Sequence, residues 1–153
     1  MVKFYYLNFM EIKDEFFAYG HKLIQATHKT TMEITKDDYL TKRGNCIIAV
    51  KSQKACSDLN EKLKELIKKD GAKIIIKLSV NGLEEIIEAE GSKMLTLTSN
   101  RSIVIRKSDY IDERTLAIRA NKSSAELSRE FIKKLRSSNS KVRIEIKVLN
   151  INF

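Results

Sequence analysis

Two histidines, a glutamate and a cysteine lie in the first third of the chain, at His21, His28, Glu33 and Cys46. An imidazole titrates near neutral pH, and beside a thiol or carboxylate it can act as a general base, activate a nucleophile or bind zinc. The spacing fits no established metal or protease signature. We therefore treat these four residues as catalytic candidates, with His21, His28 and Cys46 as weak metal-binding candidates. The sequence assigns no cofactor and leaves open whether the protein is an enzyme.

A second set of residues is suited to binding anions. Threonine hydroxyls and loop N–H groups beside a lysine can hold a phosphate, although the chain has no glycine-rich phosphate loop. The anion-binding candidates are Lys29, Thr30, Thr31, Arg43, Arg101, Arg106 and Lys107.

The charge balance favours an anionic partner. The chain has 29 Lys and Arg against 20 Asp and Glu, a formal net charge of +9, and residues 91–108 and 131–144 contain no acid. Such a field attracts nucleic acid or another polyanion. A merely soluble basic surface would have the same composition, so both interpretations stay open.

Composition also limits the class of protein. A hydrophobic fraction of 42% with 32% charged residues is typical of a globular chain. No apolar run is long enough to span a membrane, and residues 4–10 are too short for a signal-peptide core. Two cysteines, Cys46 and Cys56, cannot form a disulfide framework or a four-cysteine zinc site. We expect a cytoplasmic protein with no membrane partner.

The chain aligns with itself. A shift of 71 pairs Gly20 with Gly91 and Arg43 with Arg114, and a shift of 68 pairs residues from Ala49 onwards, which leaves Gly44, Asn45 and Cys46 without counterparts. This self-similarity predicts an internal duplication, with copies at about 12–80 and 83–148 in a single domain.

The two copies together predict the fold. Each copy has about five short strands, including 23–27 and 94–98, and one amphipathic helix before a closing strand with alternating apolar residues. Asn81-Gly82 predicts the hairpin turn between the copies, and His28 is placed in a hairpin loop. We expect an α+β fold that is predominantly antiparallel β, sandwich-like or barrel-like, with pseudo-twofold symmetry and one shared core.

The duplication separates positions that build the fold from positions private to one copy. Lys36, Asp38 and Tyr39 keep their partner types in the second copy, which favours a structural role. His21 and His28 align with Ser92 and Ser99, and Glu33 aligns with Val104. The structural alternative is that His28 hydrogen-bonds its own turn, His21 ends a strand and Cys46 fills the core.

Several motifs resemble an archaeal family catalogued as domain of unknown function 371. The resemblance covers roughly residues 16–148 and implies a small β-rich fold in an archaeal cytoplasm, with no established activity. Lys22, Asn45 and Asn121 stand where the family pattern has Pro, Asp and Asp, so a cation-binding role of those acids would not carry over. The motifs lie at Gly20-His21, 26–36, Leu40-Thr41, 43–47, 106–110 and 114–118.

Three functions follow as hypotheses. The first is a basic binding module for an anionic partner, foremost nucleic acid. The alternative is a small enzyme or metal-binding protein with a site around His21, His28 and Cys46. The third is a structural partner that acts as a homodimer through the aromatic residues 4–17.

Overall fold

The fold is described for residues 9–41 and 43–151 in a computed structural model. Eight strands and two helices follow one another in this described part of the chain. They are β1 (Phe9–Tyr19), β2 (Thr31–Thr35), β3 (Ile47–Ala49), α1 (Glu61–Ile67), β4 (Lys73–Val80), β5 (Leu83–Glu90), β6 (Ser102–Arg106), β7 (Thr115–Ala117), α2 (Arg129–Leu135) and β8 (Lys141–Ile151).

The first sheet has the strand order β1-β8-β4-β5, and all of its neighbours are antiparallel. Strands β4 and β8 alternate as the sequence predicts, with Ile74, Ile76 and Leu78 buried on β4. Asn81 and Gly82 join β4 to β5 with φ values of 47° and 82°. Two successive positive φ values are typical of a type I′ hairpin turn, which confirms the predicted turn.

The second sheet has the strand order β3-β2-β6-β7. The central pair β2 and β6 is antiparallel, whereas β3 and β7 run parallel to their neighbours. Isolated bridges from Tyr19 to Val50 and from Glu90 to Ile118 link the ends of the first sheet's edge strands to this region. The protein is therefore α+β with two sheets that do not close, the first antiparallel and the second mixed, and the barrel alternative is wrong.

Each helix follows a short 3-10 turn. The side chain of Asn60 accepts a hydrogen bond from the Leu63 N–H at the start of α1, and Ser128 does the same for Phe131 at α2. A capping box joins Ser123 and Glu126, and it closes the 3-10 turn and not the helix. No helix in the described part of the chain is long and apolar enough to cross a membrane.

The predicted strands at 23–27 and 94–98 are wrong. Ala26 and Leu97 have φ values of 52° and 53°, which no β-ladder allows. The apolar residues alternate in this segment as they would in a strand. Ile24 and Ala26 are buried, and the residues next to them are more exposed. His28 accordingly lies in a turn that leads into β2 and not in a hairpin loop.

One hydrophobic cluster contains buried side chains from both sheets and both helices, among them Met32, Ile76, Phe131 and Ile144. The aromatic stretch 4–17, proposed as a dimer surface, lies partly outside the described residues. Within the described part, Phe16 is buried, and Phe17 packs under the Lys141 ammonium at 4.1 Å. Dimerisation stays a prediction.

Candidate functional site

Both imidazoles hold turns of the backbone. His28 Nδ1 accepts hydrogen bonds from the N–H groups of Thr30 at 3.2 Å and Thr31 at 3.1 Å, and His21 Nδ1 accepts one from Leu23 at 3.0 Å. An Nδ1 that accepts an N–H has no proton of its own, so the neutral ring is protonated at Nε2. Each ring therefore keeps only Nε2 for other chemistry.

Glu33 and Cys46 are the two catalytic candidates that the structure joins. The Cys46 thiol donates to Glu33 Oε1 at 3.5 Å, and the Ser102 hydroxyl donates to Oε2 at 2.9 Å. Burial, followed by the charge of Glu33, raises the pKa of Cys46 to about 12. The thiol is therefore protonated at neutral pH and is a weak nucleophile in this state.

The described residues, 9–41 and 43–151, contain no group of three or more His, Cys, Asp or Glu side chains placed to hold a metal ion. Cys56 is buried in the 3-10 turn before α1, and its thiol donates to the Arg114 carbonyl at 3.3 Å. Burial raises the pKa of Cys56 to about 12. This is opposite to the lowering that a helix N-terminus would produce.

A polar cleft of about 340 Å³ opens beside Glu33. The Arg101 guanidinium lies in it and binds both carboxylate oxygens of Asp37, at 2.8 and 2.7 Å. Contact with Asp37, and then with Tyr39, raises the pKa of Arg101. The cleft is lined by Glu33, Asp37, Ser99, Arg101, Ser102, Glu113 and Arg114.

Asp112 holds the second arginine of the cleft. It binds Arg114 Nη2 at 3.0 Å and Arg106 Nη2 at 3.1 Å. Burial alone would raise the pKa of Asp112, but the two guanidinium groups outweigh it and lower that pKa. Arg106 is itself buried, with its Nε on the Thr115 hydroxyl at 2.9 Å.

The seven anion-binding candidates are dispersed. Lys29, Thr30 and Arg43 are exposed and Thr31 is half-buried. Arg101 and Arg106 bind carboxylates as described, and Lys107 binds Glu126 at 2.6 Å. Salt-bridged cations are less available to an outside anion, so the exposed Lys29 and Arg43 keep more of their capacity.

The loop 20–30 runs antiparallel to α2 and the 3-10 turn before it. The Ala125 N–H donates to the His28 carbonyl at 3.1 Å, and the His21 N–H donates to the Leu135 carbonyl at 2.8 Å. Between these contacts, Arg129 donates to Ala26 O and Arg136 donates to Ile24 O. The loop that carries both histidines thus forms one surface with α2.

Three cations occupy one face of α2. Arg129, Lys133 and Arg136 stand at positions i, i+4 and i+7, which share a helix face, and all three are exposed. None of the three forms a salt bridge with any residue of 9–41 or 43–151. We call this surface, with Lys22 and Lys29 of the adjoining loop, the basic face.

Comparison with known proteins places the chain in a family. A family model described as "Domain of unknown function (DUF371)" matches residues 16–149. The chain belongs to this family. A relative from Methanocaldococcus jannaschii, an uncharacterised protein, is 49% identical over 119 residues, which are 78% of this chain and 87% of the relative. The resemblance inferred from the motifs is confirmed, and this relative is archaeal.

Asn45 and Asn121, where we expect a departure from the family pattern, have backbone roles in this chain. The Asn121 side chain accepts the Glu88 N–H at 3.0 Å, and the Asn45 carbonyl accepts the Thr27 N–H at 2.9 Å. Both residues thus hold neighbouring segments together.

Sequence reasoning missed several residues in this DUF371 member. Only the fold brings Ser102 and Arg114 to Glu33, and Asp37, just after β2, is distinguished only by its contact with Arg101. The cations of α2 could have been found, since Lys133 and Arg136 lie in the acid-free stretch 131–144 and Arg129 stands one helical turn before Lys133. The apolar residues Phe131 and Ile132 indicate only the buried side of that helix.

Proposed function

We propose that this protein is a nucleic-acid-binding module that contacts phosphates through the basic face. The observation that carries the proposal is the row Arg129, Lys133 and Arg136, three exposed cations on one helix face without a carboxylate partner among the described residues. Phosphate contacts by lysine and arginine supply most of the affinity of sequence-independent nucleic-acid binding.

The two arginines of the row are held in place without being neutralised. Arg129 Nη2 lies within 3.0–3.2 Å of four backbone carbonyls, those of Ala26, Ser124, Ala125 and Leu127. Arg136 Nε donates to Ile24 O at 2.9 Å. Carbonyl acceptors orient a guanidinium but leave its positive charge, so these side chains present fixed charge to solvent.

Cations elsewhere are largely matched by acids, which sets the basic face apart. Many lysines and arginines outside it lie within 4 Å of a carboxylate. Examples are Lys36 with Asp58, Lys54 with Asp14, Lys107 with Glu126, Lys122 with Glu85, Arg119 with Glu90 and Arg143 with Glu15. The basic face groups Arg129, Lys133 and Arg136, which have no such partner among the described residues, on one surface where a phosphate backbone could meet them.

The test is binding of a fluorescent oligonucleotide, measured by anisotropy over a range of salt concentrations. Lys133→Glu should weaken binding about tenfold and lower the salt dependence by about one released ion or more. Lys68→Glu is the matched control because it makes the same charge change on α1, where Lys68 is also exposed. We expect the control to stay within about twofold of the unsubstituted protein.

Equal losses in Lys133→Glu and Lys68→Glu would show attraction by net charge alone and would contradict the proposal. Absence of binding at low salt would end it.

The enzyme or metal-site alternative has less support. A site around His21, His28 and Cys46 would have only the two Nε2 atoms and the thiol as ligands, because both Nδ1 atoms accept backbone N–H groups, and the thiol faces Glu33.

We also infer that the chain is an internal duplication with pseudo-twofold symmetry in one domain. Hydrogen bonds repeated at corresponding positions support it. Asp14 binds Lys54 and the Asn60 N–H, while Glu85 binds Lys122 and the Ser128 N–H.

Strand register supports the same inference. Lys77 faces Glu145 in the first sheet, and Glu33 faces Val104 in the second, so that residues paired by the self-alignment are also paired in space. The proposed correspondence changes one assignment made from sequence. Glu33 N donates to Cys46 O as Val104 N donates to Arg114 O, which makes Arg114, and not a gap, the counterpart of Cys46.

A further inference from the structure

The polar cleft beside Glu33 combines both signs of charge at one opening. Arg101 and Arg114 line it together with Glu33, Asp37 and Glu113. Its volume of about 340 Å³ lies at the lower end of ligand pockets, about 300–1,000 Å³. The basic face lies elsewhere, along α2, so a ligand of the cleft would be independent of nucleic-acid binding.

The two guanidinium groups are anchored and still accessible. The Arg101 side chain is 65% exposed and the Arg114 side chain 42% exposed. Each uses Nη2 to bind its own carboxylate, Asp37 or Asp112. Arg114 Nη1 is 4.0 Å from Glu33 Oε1, beyond hydrogen-bond length, so it can still donate to a ligand.

Glu33 is the deep acid of the cleft. Its side chain is 13% exposed, and it projects from β2 between Ser102 of β6 and Cys46. Ser99, also in the lining, is buried and fixes the local turn by accepting the Arg101 and Ser102 N–H groups. Interior carboxylates are costly unless they are paired, and Glu33 has only neutral donors in direct hydrogen-bond contact.

The charge pattern selects the ligand class. Three carboxylates against two guanidinium groups give the lining a formal charge of −1, which disfavours phosphate and other small dianions. A carboxylate can bind a guanidinium through two parallel hydrogen bonds. Glu33 has no positively charged group in direct hydrogen-bond contact, and an ammonium group would supply both a positive charge and three N–H donors.

We propose that this cleft binds a small zwitterion with one carboxylate and one primary ammonium group, the size of a single α-amino acid. The carboxylate lies on Arg101 and Arg114, and the ammonium lies on Glu33 with Glu113 nearby. Binding of this kind needs no covalent step and no metal.

Calorimetric titration of the full chain with each common L-amino acid tests the proposal. At least one should bind with a Kd of about 1 mM or tighter. Its N-acetyl derivative lacks the ammonium and its amide lacks the carboxylate, and each should bind at least about tenfold more weakly. Inorganic phosphate should not compete.

Variants locate the site. Arg101→Gln and Glu33→Gln should each lower the affinity at least about tenfold, whereas Arg119→Gln, a comparably exposed arginine beside Glu90, should leave it unchanged. Lys133→Glu should also leave it unchanged, so failure of this proposal is distinguishable from failure of nucleic-acid binding. Circular dichroism melts confirm that each variant is folded.

The proposal is overturned if no amino acid binds, or if either derivative binds as tightly as the parent amino acid. Unchanged affinity in a folded Arg101→Gln variant would also overturn it.

Discussion

Helices α1 and α2 are packed alike but charged differently. Each has seven residues, a side-chain cap at its first turn and three buried apolar residues against the core. At the outward positions i, i+4 and i+7, α1 has Glu61, Glu65 and Lys68, where α2 has Arg129, Lys133 and Arg136. The α1 acids also pair within the helix, Glu61 with Lys64 and Glu65 with Lys62.

This contrast separates two kinds of constraint. Buried positions are restricted by volume, because a cavity or a clash in a close-packed core costs several kcal/mol. Exposed positions on a helix are restricted by little more than solubility, so a concentrated charge there points to a partner. The comparison therefore predicts large, equal effects on stability where the helices agree, and unequal effects on binding where they differ.

The largest expected effects lie where each helix ends against a glycine. A Cβ at Gly20 would stand 2.1 Å from the Leu135 carbonyl oxygen, and a Cβ at Gly91 would stand 2.1 Å from that of Ile67. Gly20→Ala and Gly91→Ala should each destabilise the protein by about 3 kcal/mol, since backbone oxygens cannot move aside cheaply. Urea unfolding measures this loss.

Gly71→Ala is the control for these substitutions. It meets no atom within 4 Å, although its φ is +75°, so it should cost only about 1 kcal/mol of backbone strain. If Gly20→Ala were tolerated while Gly91→Ala was not, the two helix ends would not be packed alike.

The elements of the fold also divide into those that a local sequence pattern predicts and those that depend on distant parts of the chain. Strands β4, β5 and β8 and the Asn81-Gly82 turn are predictable because alternation and turn chemistry are local. The segments 23–27 and 94–98 have the sequence pattern of strands because apolar residues alternate there, but they form no hydrogen-bonded ladder. The parallel pairing of β3 with β2 and of β7 with β6 is a long-range property that no local pattern indicates.

The candidate sites show a similar limit. Glu33 and Cys46 could be singled out by residue type, and they do meet. Ser102, Asp37 and Arg114 could not, because they reach the cleft from segments about 70 residues apart. Which cations remain without a carboxylate partner also depends on side-chain contacts that the order of residues does not reveal.

Charge substitutions at corresponding positions of the two helices should have intermediate effects on oligonucleotide binding. Glu65 on α1 is 69% exposed and stands where α2 has Lys133. Glu65→Lys should raise oligonucleotide affinity by no more than about twofold, because its helix face still has Glu61. Lys133→Glu removes the centre of the cationic row and should weaken binding about tenfold. Anisotropy titration at one fixed salt concentration measures both variants.

Changes of equal size and opposite sign in Glu65→Lys and Lys133→Glu would contradict the comparison. They would mean that the two helix faces differ only in their contribution to net charge.

The smallest expected effects concern two exposed carboxylates at matching 3-10 turns. Asp58 binds the Lys36 ammonium at 2.7 Å and the Ala55 N–H at 2.9 Å. Glu126 binds the Lys107 ammonium at 2.6 Å and the Ser123 N–H at 3.1 Å. In each case the lysine, followed by the backbone N–H, lowers the pKa of the carboxyl below its ordinary value.

A folded-state pKa below the unfolded value means that the carboxylate stabilises the fold above its ordinary pKa, 3.8 for Asp58 and 4.5 for Glu126. The contribution disappears as the pH falls through the lowered pKa. Asp58→Asn and Glu126→Gln should therefore lower the Tm slightly at about pH 7 and match the unsubstituted protein at about pH 2. A Tm difference that persists at the acid end would assign the effect to hydrogen-bond geometry, and a difference in only one variant would show that the two turns are not equivalent.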